Sequence, residues 1–276
     1  MATNTLRAEH RIGPSAVAAG AARLPNVIRS EWTKLWSVRA TVWTLLAMLV
    51  VTVGLSALFA STAATSTDPA MEHMRRDPTG TSLAGISLGQ IVIVVLGVMS
   101  ISTEYTSGSI RTSLIAVPRR LTLLGAKALV LAPVALVTGT VTSFAAFFVG
   151  QALLATGGIN ADLSDPQVLR AVVGGGLFLA GNALFGFALG AVLRSTASGI
   201  TVAVAVLKIL PELVAQLPGT LGDWAQKGFT SNAGQQILQV TPPADRLGPW
   251  TGYLVFTIWW VVILAIAAVL MRRRDA

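Results

Sequence analysis

Six separate stretches of about 20 mostly apolar residues run through this sequence, and few folds can hide even one of them in water. They extend from about Ala40 to Ala60, Ala84 to Thr103, Ala126 to Val149, Ala171 to Leu193, Ala197 to Leu217 and Thr251 to Met271. Each is long enough to cross the hydrocarbon core of a bilayer. Hydrocarbon offers no partner to a backbone amide, so each run is predicted to be a helix that closes its own hydrogen bonds. A membrane barrel would instead alternate polar and apolar residues over strands of about 10, which these runs do not do. Composition agrees. Of 276 residues 53% are hydrophobic and only 12% charged, about half the charged share of a soluble domain, and the mean hydropathy is +0.70. The chain is therefore read as an all-α polytopic membrane protein. The absence of cysteine excludes disulfide scaffolds, thiolate metal sites and thiol catalysis. His10 and His73 leave little for metal binding or histidine-based chemistry.

The third stretch is unusually long, since apolar residues persist from Leu121 to Thr156. Two crossings would need a polar turn, and only Thr138-Gly139-Thr140 is available. One long, tilted helix bent at Pro133 is the simpler expectation.

The charges orient the spans. Fourteen of the twenty Lys and Arg residues fall in the segment before the first span, the second and fourth connections and the C-terminus. The opposite connections hold Arg75, Arg76, Arg170, Lys227 and Arg246, and Lys208 lies inside a span. By the positive-inside rule both termini are expected in the cytoplasm, which six crossings allow and five or seven would not. The net charge of +8 follows from this asymmetry, so no nucleic-acid partner is needed to explain it. The charged leader is too long for an ordinary signal peptide, despite the small residues around Ala57 to Ala60. Residues 1–23 are expected to be a disordered cytoplasmic N-terminus, 24–39 a helix, 40–271 the six-helix domain and 272–276 a cytoplasmic tail.

Within Leu24 to Arg39, the residues Leu24, Ile28, Trp32, Leu35 and Trp36 share one helical face. Arg29, Ser30, Thr33, Lys34 and Ser37 share the other. That pattern predicts an interfacial helix with its indoles at headgroup depth, marked by Trp32, Lys34, Trp36 and Arg39. Between the second and third spans, Ile110, Leu114 and Val117 recur at helical spacing, and Pro118 should end the helix. A short amphipathic helix is expected there, opened by small residues, with Arg119 and Arg120 suited to lipid phosphates.

The run from Glu104 to Arg120 reads E-Y-x-x-G-S-I-R-T-S-L-x-x-x-P-R-R and is followed by Leu123-Leu124-Gly125-Ala126-Lys127. It resembles the cytoplasmic coupling segment of type-2 ABC transporter permeases. The stretch E-W-T-K-L-W-S-V-R-A-T-V-W-T-L, Glu31 to Leu45, is similar to the lead-in to the first span of the same family. The family carries threonine where Ser109 stands, a conservative departure. The resemblance implies a permease subunit of an ATP-driven exporter, paired with a second permease subunit and driven by a separate ATPase subunit. On that reading Glu104, Tyr105, Gly108, Ser109, Ile110, Arg111, Leu114 and Pro118 form the ATPase-coupling helix. It also implies a re-entrant segment between spans five and six, where Pro218 to Trp250 mixes Trp224, Phe229, Ile237 and Leu238 with glycines and Pro242-Pro243. The sequence has no G-x-x-x-x-G-K-[ST] cradle, and no lysine follows a glycine. The subunit itself is expected to hold no cofactor, with ATP and magnesium on the partner.

Other motifs weigh less. Lys208 and Glu212 flank Pro211 and could pair on one helical face, either structurally or as a pathway or gating pair. Gly85-Ile86-Ser87-Leu88-Gly89 matches G-x-S-x-G, but no strand or span histidine supports a hydrolase. Gly85 with Gly89, and Gly186 with Gly190, instead read as close helix-packing surfaces, and Asn182 as an interhelical hydrogen-bonding residue. Two other classes stay open on sequence alone: a self-contained secondary transporter or channel, and a non-transporting immunity or sensor subunit.

Overall fold

The structure, a computed structural model, describes residues 24–273 apart from 67, 118, 217 and 244. The expectations placed on residues 1–23, Pro118 and Arg274 lie outside the described residues, as does the side chain of Trp224. The described residues form helices and turns with no strand. Six helical stretches are long and apolar enough to cross a membrane.

Helix α1 (Leu24–Ser37) ends where Val38 adopts an extended backbone, φ −87° and ψ 110°, and α2 (Arg39–Thr65) is the first span. Arg39 thus opens the first span and is not part of the N-terminal helix, a correction to the expected boundary. A 3-10 turn (Pro69–Met71) and α3 (Glu72–Arg76) lead to α4 (Pro78–Leu83). Proline fits the first turn of α4 because that position needs no amide donor, and the Asp77 carboxylate accepts from the Gly80 amide at 2.8 Å. With α5 (Ile86–Thr106), α4 completes the second stretch long and apolar enough to cross, from Pro78 to Thr106. The short α6 (Ile110–Ala116) follows.

Helix α7 (Arg120–Leu154) is a single 35-residue helix that runs through Pro133 and through Thr138-Gly139-Thr140 without a turn. At about 1.5 Å per residue it exceeds the roughly 30 Å hydrocarbon core, so an apolar layer of that thickness requires it to tilt or to protrude. Helix α8 (Pro166–Leu193) is the most buried of the candidate spans. The fifth span is interrupted. α9 (Thr196–Val204) passes into a π turn (Ala205–Ile209) and then α10 (Leu210–Ala215). Between the fifth and sixth spans lie α11 (Gly219–Gly228), α12 (Thr230–Gln235) and a 3-10 turn (Gln236–Leu238). The last span is α13 (Pro249–Arg273).

Lipid supplies no hydrophobic drive between apolar helices, so close packing of small residues must hold them together. The α5–α8 seam shows how. A methyl group at Gly97 would collide with the Ala183 carbonyl, and one at Gly186 with the Val94 carbonyl. At Gly190 the Val98 carbonyl would lie 2.8 Å away. Gly85 and Gly89 press in the same way against Thr52 of α2. Gly175 and Gly176 meet Ser143 and Thr140 of α7. Asn182 is fully buried, but its amide donates to the Phe178 carbonyl at 2.8 Å within α8, not across helices as expected. The carbonyl four residues back is an acceptor that a short polar side chain in a helix interior can reach without a partner helix.

One end of the bundle gathers the cation-rich connections. Arg120 Nη1 donates to the Met271 carbonyl at 3.1 Å, tying the start of α7 to the end of α13. The Arg194 guanidinium lies 5.0 Å from the Tyr105 ring centroid, and Ser102 and Thr196 share a 2.8 Å hydrogen bond. The opposite end holds α3, α4, α11 and α12.

Candidate functional site

The cation-rich end is organised around four charged side chains from three helices. Lys127, two turns into α7, places Nζ 2.6 Å from Glu31 Oε2 and 2.7 Å from Glu104 Oε1. Lys34 places Nζ 3.0 Å from Glu31 Oε1, 3.3 Å from Glu104 Oε1 and 3.2 Å from the Ser113 hydroxyl. The side chains of Glu31 and Lys127 are each 6% exposed, that of Glu104 14%, and that of Lys34 47%. Such burial is tolerated because each ion has a close counter-ion. Burial alone would lower the Lys34 pKa, but the Glu31 and Glu104 carboxylates outweigh it and hold the ammonium above its ordinary value.

Glu31 reaches this position because α1 turns an unexpected face inward. Val27 and Glu31 are buried and Ile28 and Leu35 partly so, while Trp32, Trp36 and, at the start of α2, Trp43 stay exposed. Lys34 does not simply point to solvent with the polar face; it bends into the ion cluster. The pairing of Glu31 with Lys127 was missed in the sequence because the two are far apart in the chain. The available signal was that both are charges beside an apolar run.

The cluster also fixes the connection that follows Glu104. Tyr105 lies under Arg194, a residue held at φ +54° where a glycine usually ends a helix. The chain then turns at Gly108, whose φ is +73° with nothing within 4 Å of a hypothetical Cβ. Glycine is needed here for its backbone and not for space. Ser107 and Ser109 share a 2.9 Å hydroxyl contact across the turn. In α6, Ile110 is 3% exposed and Val117, just past the helix, 8%. Leu114 packs against the same core, while Arg111 is exposed and Ile115 is 81% exposed. Lys34 therefore links α1 to α6 through Ser113, and Glu104, near the end of α5, ties that helix to α1 and α7.

Behind the cluster a cavity of about 580 Å³ opens between α1, α2, α5 and α7. At the opposite end a polar cavity of about 340 Å³ is lined by Glu212, Gln235, Gln236, Gln239 and Arg246 among others. Lys208 and Glu212 make no ion pair with each other. The π turn closes Leu210 N–H onto the Ala205 carbonyl, five residues back, so positions 208 and 212 lose the ordinary four-residue alignment. Glu212 is exposed and Lys208 half-buried.

A helical bundle with six such stretches, stitched by glycines and carrying a charged cluster at its cation-rich end, is a multi-pass membrane protein. Residues 27–211 match the family described as ABC-2 family transporter protein. The chain belongs to that family, whose members are transmembrane permease subunits and generally not catalytic. A comparison with curated proteins finds no match.

Proposed function

We propose that this chain is the permease subunit of an ATP-driven exporter in a bacterial inner membrane. It forms the translocation path with a second permease subunit and is driven by a separate ATPase subunit that holds ATP and magnesium. The cation-rich end, with both termini, faces the cytoplasm, and α1 lies in the headgroup region with Trp32 and Trp36 toward lipid. The segment between spans five and six is a partly embedded hairpin on the outer side. Lys208 and Glu212 border the path separately, Glu212 at its outer polar cavity.

The observation that carries this reading is Ile115. A helix whose other face is anchored by Ile110 presents an aliphatic side chain at 81% exposure on the cation-rich end, beside the exposed Arg111. An exposed apolar residue on a well-held short helix suits a protein partner. When the ATPase pair closes on ATP, it would push α6, and Ser113–Lys34 and the Glu104 junction would carry the movement into α1, α5 and α7. Co-expression with the ATPase encoded beside it and purification through a tag on this chain tests the reading. ATPase should co-purify and lose at least tenfold in recovery with Ile115→Asp. Unchanged recovery in a folded variant overturns the assignment of α6.

A further inference from the structure

At the cation-rich end the arginines outnumber the acids that could pair with them. Glu31 and Glu104, the carboxylates of that end among the described residues, are already held by Lys34 and Lys127. The start of α7 and the end of α13 carry the densest group. In sequence these segments hold Arg119, Arg120, Arg272, Arg273 and Arg274 against one acid, Asp275. The Arg120 hydrogen bond to the Met271 carbonyl brings the two segments together. Arg119, Arg272 and Arg273 are exposed, and their guanidinium groups make no ion pair or hydrogen bond among the described residues. Cations brought side by side repel one another, and an anion between them reverses the sign of that interaction.

The same corner opens onto an apolar track. On α13, Ile258, Val262, Ile266 and Val269 lie within about 40° of one line along the helix, and each is about half exposed. Arg273 ends that line, and Arg272 flanks it. Ile258 to Val269 spans roughly 17 Å, close to half of the roughly 30 Å hydrocarbon core. A soluble partner does not reach a face at that depth. A second copy packed on this face about a two-fold axis would set the same arginines against each other. A zwitterionic headgroup would bring its own ammonium to them. What fits is an anion attached to an acyl chain.

We infer that this corner binds an anionic phospholipid. Its phosphodiester would accept from Arg119, Arg272 and Arg273 and bridge the ends of α7 and α13, with one acyl chain along the α13 stripe. Guanidinium forks suit phosphate oxygens, which they engage two at a time. The inference requires only that the chain spans a membrane, and it does not rest on ATPase coupling or transport.

The test uses the full chain in phosphatidylcholine nanodiscs carrying a trace of phosphatidylglycerol with a diazirine in one acyl chain. Labelling of 258–271 should exceed that by a phosphatidylcholine probe of the same chains about tenfold. Labelling of 136–141, an exposed stretch of α7 far from its arginines, should not differ between the probes. Arg272→Gln with Arg273→Gln should abolish the preference at 258–271. Arg119→Gln, on the other helix, should lower it several-fold and serves alone if the double variant does not insert. Arg29→Gln with Arg39→Gln removes as much charge from the same end and should leave the preference intact. Equal labelling by both probes, or equal loss in the Arg29 and Arg39 variant, would overturn the inference. So would competition by soluble glycerol phosphate as strong as by the lipid, which would mean a free phosphate site, or α13-to-α13 cross-links in place of lipid adducts, which would mean a second copy.

Discussion

The ammonium of Lys127 lies 2.6 Å from the carboxylate of Glu31, joining the long third span to the helix that precedes the first. Both side chains are 6% exposed, so neither ion can fall back on water if the other is removed. Lys127→Met strands Glu31 and Glu104 with only the half-exposed Lys34 and should destabilise the protein by about 3–5 kcal/mol. The double variant Glu31→Leu with Lys127→Met removes the stranded charge and should be less destabilised than the single one. Thermal unfolding in detergent reads both. A double variant at least as unstable as Lys127→Met would mean that the pair is not the source of the loss.

The layout of the spans was legible in the sequence because the bilayer imposes length and apolarity on each helix separately. Ala171 to Leu193 and Thr251 to Met271 were placed within a few residues of α8 and α13. The extra turns of α4 and α7 were harder to read because Pro78, Arg120 and Leu154 lie where hydropathy no longer constrains the chain. The ion cluster was illegible for a different reason. Glu31, Glu104 and Lys127 each look like ordinary charges flanking a span, and only the packing of α1 on α7 makes them one site. The Lys208–Glu212 spacing misled, since a π turn is a change of register that no local pattern announces.

The glycine seams discriminate between positions that look equivalent in sequence. Gly97→Val forces a side chain into the Ala183 carbonyl of α8 and should cost about 1–3 kcal/mol or more, because backbone cannot rearrange as a side chain can. Gly54 lies in α2 with nothing within 4 Å of a Cβ, so Gly54→Ala should be neutral or stabilising by up to about 1 kcal/mol. Yield of monodisperse protein and its melting temperature separate the two. Equal behaviour would argue against the close α5–α8 approach.

Gly108 tests the turn that orients α6. Its φ of +73° costs an L-residue roughly 1–2 kcal/mol, although the space around it is open. Gly108→Ala should leave the span core intact and loosen α6, giving faster proteolysis and hydrogen exchange at 107–116. Gly125, helical and equally open, is the control, and Gly125→Ala should change neither. If both variants exchange alike, the left-handed turn does not hold α6 in place.

At the opposite end, Arg170 anchors the connection before the last span. One guanidinium nitrogen donates to the Gln239 carbonyl at 2.7 Å and the Val240 carbonyl at 3.4 Å, and the other to the Ile237 carbonyl at 3.3 Å. The planar fork lets one side chain on α8 hold three carbonyls of one turn, those of Ile237, Gln239 and Val240, which a lysine ammonium on a flexible stem cannot reproduce. Loss of these charged hydrogen bonds should cost about 1.5–3 kcal/mol. Because Ile237 packs over Gly174, the damage should stay local to the turn at 236–240. Arg170→Lys and Arg170→Ala should therefore both raise hydrogen exchange across 236–243, while exchange in α5 and α7 stays at its original rate. Protection retained in Arg170→Lys would show that charge alone, and not the fork, secures this connection.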